Sequence, residues 1–382
     1  MIYLDVSAAA HGRAGLGRYA ASLARALIAQ HPDRFAFFYN RDAATHPLAG
    51  MEGIPTRTVR AGYKPWRMAV WLGQLASADF GRLVPGATLF HATEHLLLPL
   101  RRVPTVLTVH DLIWHLFPQH HKRLNRWFLD AAMPLFCRRA THIIAISQCS
   151  KHDLVRFYGV PERKITVVPE AAAPRFRPAP PEQVTAVRAR YGLPARYAVT
   201  VGTIEPRKNL VRLADVVARL RAGAPPSAGG TDVRLVVVGA PGWLYDETLA
   251  RLAQPDVADA IVRPGFVPDE DLPAVYAGAH LCVQPSLYEG FGLPVLEAMA
   301  CGTPVVCARA SSLPEVGGDA ARYFDPRDAD DMARIIAAVW DDAGLRAEMR
   351  AAGLAQAARF SWDRAAAETM AVYEQTMETF HP

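Results

Sequence analysis

The stretch Leu281-Cys-Val-Gln-Pro-Ser-Leu-Tyr-Glu289-Gly-Phe-Gly-Leu-Pro-Val-Leu-Glu297-Ala-Met-Ala-Cys-Gly-Thr-Pro304 decides the fold. Its apolar start, Leu281 to Gln284, reads as a short buried strand that ends at Pro285-Ser286. Gly290 and Gly292 break the turn that follows. Pro294 then stands in the first turn of a helix, where its missing N–H leaves nothing unsatisfied. Glu289 is thereby placed in the loop at the carboxyl end of a strand, and Glu297 on the first turns of the next helix. The free amides of Gly292 and Leu293 open toward the same spot, and a helix N-terminus attracts anions. Two carboxylates flank it all the same. A ligand with phosphate at one end and hydroxyls at the other, a sugar nucleotide, reconciles the two.

Outward from this stretch, apolar or β-branched runs alternate with amphipathic helical segments, the pattern of a parallel α/β sheet. The first half holds strand candidates at 2–6, 35–39, 57–59, 88–92, 105–110, 142–146 and 165–168. The second half holds them at 197–201, 235–238, 260–262, 281–284, 304–307 and 322–324. At 382 residues the chain is long enough for two domains. The proline-rich Pro174-Arg-Phe-Arg-Pro178-Ala-Pro180-Pro181 suits neither helix nor strand and is expected as the linker. The expected division is therefore 1–173, the linker 174–181, and 182–360. A surface loop is expected at Ala224-Pro-Pro-Ser-Ala-Gly-Gly-Thr231. After Ser361 as cap, a closing helix places Trp362, Ala366, Met370 and Tyr373 on one stripe.

No run of about 18 apolar residues is present to span a membrane, and the N-terminus lacks the basic start of a signal peptide. The five cysteines show neither paired spacing nor a histidine cluster, which fits a reducing cytoplasm. Charge is unevenly divided. Residues 1–175 hold 22 Lys+Arg against 11 Asp+Glu, and residues 176–382 hold 20 against 26, giving +11 and −6. Halves so different are expected to meet different partners.

The full string around Glu289 and Glu297, with its Pro-Ser, Gly-Phe-Gly-Leu-Pro and Glu-Ala-Met-Ala-Cys-Gly-Thr-Pro-Val-Val parts, resembles the Glu-x7-Glu signature of the retaining glycosyltransferases of family 4. The resemblance implies the GT-B architecture: α/β, with two Rossmann-like domains facing each other across a cleft. It also implies an acceptor-binding first domain, a donor-binding second domain, and a C-terminal helix (361–382) crossing back to the first. The segment His110-Asp-Leu-Ile-Trp-His-Leu-Phe-Pro, with Val167-Val-Pro-Glu170-Ala, looks most like the mannosyltransferase-like branch that builds bacterial surface polysaccharides. That implies GDP-mannose over a UDP-sugar as donor, and a glycan or lipid-linked acceptor. Many members carry Asn-Gly where Glu170-Ala171 stands here.

Site residues follow from both lines of reasoning. In Gly202-Thr-Ile-Glu-Pro-Arg207-Lys208-Asn, two adjacent cations lie between a buried strand and a helix start, well placed for a diphosphate. Stabilising charge on a phosphate leaving group is itself catalytic. The segment is similar to the family's Glu-x-Arg-Lys-Asn site. Glu289 is expected to accept from the sugar and Glu297 from the ribose hydroxyls. His110 is expected at the tip of a buried strand, and the resemblance implies that it approaches the donor sugar. The loop holding Gly15 and Gly17 resembles the family's Gly-x-Gly-Arg-Tyr segment, which closes over the donor. The resemblance implies that the backbone near Val267, in Gly265-Phe-Val-Pro, reads the base. Asp269–Asp271 and Asp328–Asp330 fit a D-x-D metal pattern, yet each begins a helix and is expected as a cap; no metal and no cofactor are expected.

Two other readings compete: a non-hydrolysing sugar-nucleotide epimerase of the same fold, whose acid and base residues are not located, and a dinucleotide oxidoreductase resting on Gly15–Ala20 alone. No nucleic-acid partner is expected. Tyr63-Lys-Pro-Trp66-Arg67-Met-Ala-Val-Trp71 and His120-His-Lys-Arg123-Leu-Asn-Arg126-Trp127-Phe128 mix basic and aromatic residues. They lead to the expectation of a cytoplasmic protein lying peripherally on the anionic inner face of the plasma membrane.

Overall fold

The computed structural model describes residues 1–223 and 232–381, so the surface loop expected at 224–231 lies outside the described residues. Two compact units are present. One comprises Met1–Leu116, Arg123–Glu170 and Ser361–Pro382; the other comprises Phe117–Lys122 and Ala171–Phe360.

The first unit is built on a parallel sheet of β1 (Ile2–Asp5), β2 (Phe35–Arg41), β3 (Thr56–Arg60), β4 (Leu89–Ala92), β5 (Thr105–Val109), β6 (His142–Ala145) and β7 (Ile165–Val167). Their order across the sheet is β3-β2-β1-β4-β5-β6-β7. Strands β1, β4, β5 and β6 are buried along their whole length. That is why they read as unbroken apolar runs rather than alternating ones. Edge strand β3 is mostly exposed and carries Arg57 and Arg60, the usual protection of an open edge.

The second unit repeats the plan with β8 (Ala198–Val201), β9 (Leu235–Val238), β10 (Ile261–Gly265), β11 (Leu281–Gln284), β12 (Val305–Ala308) and β13 (Arg322–Phe324). The order is β10-β9-β8-β11-β12-β13. Winding reverses between β1 and β4 in one sheet and between β8 and β11 in the other. At such a switch point adjacent loops diverge and leave a crevice outside the carboxyl ends of the strands.

The closing helix, Trp362–Thr379, is capped by Ser361, whose Oγ accepts from the Arg364 amide. It buries the expected stripe of Trp362, Ala366, Met370 and Tyr373 in the first unit. The Tyr373 hydroxyl meets His91 Nδ1 at 2.6 Å, and His91 Nε2 meets Thr108 Oγ1 at 2.8 Å. Thr108 Oγ1 in turn lies 3.0 Å from the Tyr19 hydroxyl. Burial first, and then the nearby His110, push the His91 imidazole down to about 3, so it serves this chain as a neutral ring.

Several expectations are corrected. The first unit's segment from Arg123 stops at Glu170, and the proline-rich segment belongs to the second unit. Phe176 is buried there, its ring 6.1 Å from Tyr276, and Pro181 opens helix Pro181–Tyr191. Residues 117–122 also belong to the second unit, where the Trp243 indole donates to the His120 carbonyl at 2.6 Å. Asp328 caps its helix, accepting from the amides of Asp330 and Asp331. Asp271 makes no such cap: its Oδ2 accepts from Arg190 and Tyr191 at 2.7 and 2.6 Å. Asp269 pairs with Arg175 at 2.5 Å.

Candidate active site

The two loops at the switch point of the second sheet meet. After β8, Arg207 and Lys208 form a short 3-10 turn, and Asn209 follows in the left-handed region with φ +57°, a conformation asparagine tolerates better than most residues. Its side-chain amide donates to the carbonyls of Pro285 and Pro326 at 3.1 and 2.8 Å, fastening this loop to those after β11 and β13. Gly202, with φ +149°, leaves room for Lys208; a Cβ there would stand 3.3 Å from Nζ.

Glu289 is the hub. Its carboxylate accepts from Lys208 Nζ at 2.6 Å, Arg207 Nη1 at 2.8 Å, Ser286 Oγ at 2.6 Å and Gln284 Nε2 at 2.9 Å. Burial alone would raise its carboxyl, but Lys208 and Arg207, with the Lys208 and Ser286 hydrogen bonds, hold it well below the usual carboxylate range. Arg207 also donates to Glu205 and to the Tyr288 carbonyl. The Glu205 carboxyl is raised by burial against the pull of Arg207 and Lys208. Two cations and two carboxylates thus form one buried network, with Arg207 and Lys208 only 11% and 12% exposed in their side chains.

The turn beyond Glu289 is held from β12's loop. Ser311 Oγ accepts from the Glu289 amide at 2.8 Å, and Ser312 Oγ donates to the Glu289 and Phe291 carbonyls at 2.9 and 2.6 Å. Gly292, at φ +111°, turns the chain into helix Leu293–Ala300, and a Cβ there would meet Leu313 at 2.8 Å. The helix start at Gly292–Leu293 lies where expected. Glu297, one turn on, is buried and accepts from the Tyr276 hydroxyl at 3.2 Å. Val267 lies just past β10 at the sheet's edge, buried beside an exposed Phe266.

Lys208, Arg207 and Glu289 are therefore gathered, but as mutual partners. The expected free cations are neutralised by carboxylates, because a positive charge this buried is costly unpaired. Glu289 has both oxygens engaged by protein donors, among them both cations. Glu205, Gln284, Ser311 and Ser312 were missed by sequence reasoning. Glu205 had a usable signal, an acid two residues before an arginine at a strand's carboxyl end. The serine pair follows a different strand and had none.

In the first unit His110 follows β5. Its Nε2 lies 3.0 Å from the Thr93 carbonyl and its Nδ1 3.3 Å from Glu170 Oε1. The Tyr19 ring stands edge-on at 4.7 Å. Burial would lower the imidazole, yet the Glu170 bond and charge, the Thr93 carbonyl and Asp111 together raise it. A folded-state value above the ordinary ~6.5 means that the pair's stabilisation is complete below about pH 6.5. It is lost as pH rises through the folded value. Glu170→Gln should therefore narrow the gap in melting temperature to the parent as pH is raised from 6 to 9. A gap that stays constant over that range would contradict the pairing.

Gly15 and Gly17 do not form an open loop. Both lie in the first turn of helix Ala14–Gln30, preceded by the short helix Ser7–Ala10. Gly17 is required by packing, since a Cβ would come 2.9 Å from the Ala8 carbonyl oxygen. The dinucleotide fingerprint fails on the same ground, because no tight turn joins β1 directly to that helix.

The chain matches the models of two families, "Glycosyl transferases group 1" over residues 188–356 and "Glycosyltransferase Family 4" over residues 13–175. It is 36% identical over 279 residues to the O-antigen chain mannosyltransferase B of Escherichia coli, covering 72% of each chain. It is 29% identical to the serotype-specific mannosyltransferase WbdA of the same organism, over 69% of this chain but only 33% of that one. The sucrose-phosphate synthase of Thermosynechococcus elongatus shares the fold, with a TM-score of 0.77, 99% of each chain covered and 21% identity. Two Rossmann-like units, a charge network at the second sheet's switch point and these matches give one conclusion: the chain belongs to glycosyltransferase family 4, in its mannosyltransferase branch.

Proposed function

We propose that this glycosyltransferase moves mannose from GDP-mannose to a glycan or lipid-linked acceptor in surface-polysaccharide synthesis, with retention at the anomeric carbon and without a metal. The Glu289-centred network carries the reading. A diphosphate brought to Arg207 and Lys208 meets cations already oriented, so little reorganisation accompanies the growth of charge on the leaving group. The amides of Gly292 and Leu293 add a helix N-terminus to the same phosphates. Glu297 holds the ribose, the backbone at Val267 reads the base, and the helix turn of Gly15 and Gly17 borders the donor. His110, with both ring nitrogens engaged by Thr93 and Glu170, is held in one orientation beside the donor sugar. The names of the curated relatives support mannose, and the paired cations support metal independence.

The test is transfer from GDP-mannose and UDP-glucose to a mannose-terminated oligosaccharide in excess EDTA, with the new linkage read by NMR. Transfer from GDP-mannose alone, giving an α linkage, is expected. Activity lost to chelator and restored by Mn²⁺, or a β linkage, would contradict the proposal.

For the membrane, no helix among the described residues is long and apolar enough to cross a bilayer. Helices Tyr63–Leu75 and Arg123–Arg139 of the first unit leave Leu72, Leu75, Leu124 and Trp127 exposed. Trp66 and Phe128 pack inward instead, and Trp71 is partly covered, edge-on to Trp127 at 5.5 Å. With Lys64, Arg123 and Arg126 on the same helices, this surface suits an anionic bilayer, where each basic residue adds about 1 kcal/mol. Co-sedimentation with phosphatidylglycerol vesicles, abolished by Leu124→Glu with Trp127→Glu, is expected; equal binding to neutral vesicles would contradict it.

A further inference from the structure

At the switch point of the first sheet, Asp5 ends β1 opposite Ala92 of β4, and Glu94 follows two residues later. Both are buried, 0% and 3% exposed. Asp5 Oδ1 accepts from the Ser7 amide at 2.9 Å and the Ser7 hydroxyl at 2.5 Å, while Oδ2 has no partner. Glu94 Oε2 accepts from Arg13 Nη1 at 2.9 Å, while Oε1 has no partner. The same Arg13 nitrogen donates to the Tyr63 hydroxyl at 2.7 Å, and its guanidinium lies 3.6 Å from the Tyr63 ring centre.

Two buried carboxylate oxygens without donors, from different side chains at one switch point, are rare, since each leaves a desolvation cost uncompensated. Their chemistry selects what can satisfy them. A phosphate or carboxylate offers only acceptors and would sit against two acids. A cation would meet the fixed Arg13. A neutral sugar ring presents neighbouring hydroxyls, which donate to a carboxylate and also accept from a protonated one. The last point matters at Asp5, whose carboxyl is pushed up to about 7, first by burial and then by Glu94. Tyr63, whose ring and hydroxyl both hold the Arg13 guanidinium, fixes that donor beside Glu94.

We propose that Asp5, Glu94, Arg13 and Tyr63 form a subsite for an uncharged, hydroxyl-bearing terminal sugar of the acceptor. The inference rests on the transfer reading above and names its acceptor class: a neutral glycan end rather than a phosphorylated one.

Binding to the full-length protein, followed by saturation-transfer NMR and titration, tests this with methyl α-mannoside and its 6-phosphate. The parent should bind the neutral glycoside at least tenfold more tightly than the phosphorylated one. Glu94→Gln and Asp5→Asn should each weaken the neutral glycoside by roughly tenfold, as expected when a built hydrogen-bond site loses one member. GDP binding, read by thermal shift, reports separately that the second unit is folded. Preference for the phosphorylated glycoside, unchanged binding in both variants, or Mg²⁺ or Mn²⁺ binding that depends on Glu94 would overturn the subsite. Glycoside binding as expected, but no transfer from any donor, would support the subsite and count instead against the transfer reading.

Discussion

Lys208→Ala should lower kcat for sugar transfer by about 100- to 1000-fold, the usual cost of removing one preorganised electrostatic contact from a dry site. Glu289→Gln should cost about as much, for a different reason. The glutamine keeps the shape of the hub but withdraws the charge that holds Lys208 at 2.6 Å and Arg207 at 2.8 Å. Because the two residues act as one unit, the double variant should lose little more than either single one. Circular dichroism should show both variants folded, since Asn209, Ser311 and Ser312 still fasten the loops. Activity within a few-fold of the parent in both single variants would contradict the assignment.

Gly239→Ala should be the most damaging single methyl group in the second unit. Gly239 ends β9's turn at φ +144°, and its added Cβ would overlap the Gly202 carbonyl oxygen and lie 2.7 Å from the Gly202 carbonyl carbon. Backbone cannot swing aside as a side chain can. Overpacking and the unfavourable φ together should cost about 4 kcal/mol. For a unit of this size, that corresponds to a fall of roughly 8–16 °C in melting temperature. Transfer should fall as well, because Gly202 lies against Lys208. Gly192→Ala is the control. It also has positive φ, +61°, but nothing lies within 4 Å of its Cβ, so it should cost about 1 kcal/mol. Equal effects at both positions would show that contact with Gly202 is not the cause.

The fold was legible because parallel strands buried on both faces leave continuous apolar runs, and Leu281–Gln284 or Leu235–Val238 can hardly be read otherwise. Proline composition misled at 174–181, since Phe176 is an anchor that spacing does not reveal. Glycine spacing misled at Gly15 and Gly17, where close packing on Ala8, not loop freedom, demands the small residue. Residue types at the site were readable; their pairing was not. That Glu289 neutralises Arg207 and Lys208 depends on β8 lying beside β11, and that Asp5 and Glu94 lie at one switch point depends on β1 lying beside β4. Such neighbourhoods arise from topology, which a local motif does not carry. Asp271 shows the same limit: only its partners Arg190 and Tyr191 distinguish an ion pair from a cap.

The central claim is that the Glu289-fixed cations hold a diphosphate. Calorimetric titration of GDP and GMP into the parent and into Lys208→Ala tests it most directly. GDP should bind the parent at least tenfold more tightly than GMP, and that preference should vanish in the variant. Equal affinity of the parent for GDP and GMP, or a preference that survives in Lys208→Ala, would contradict it.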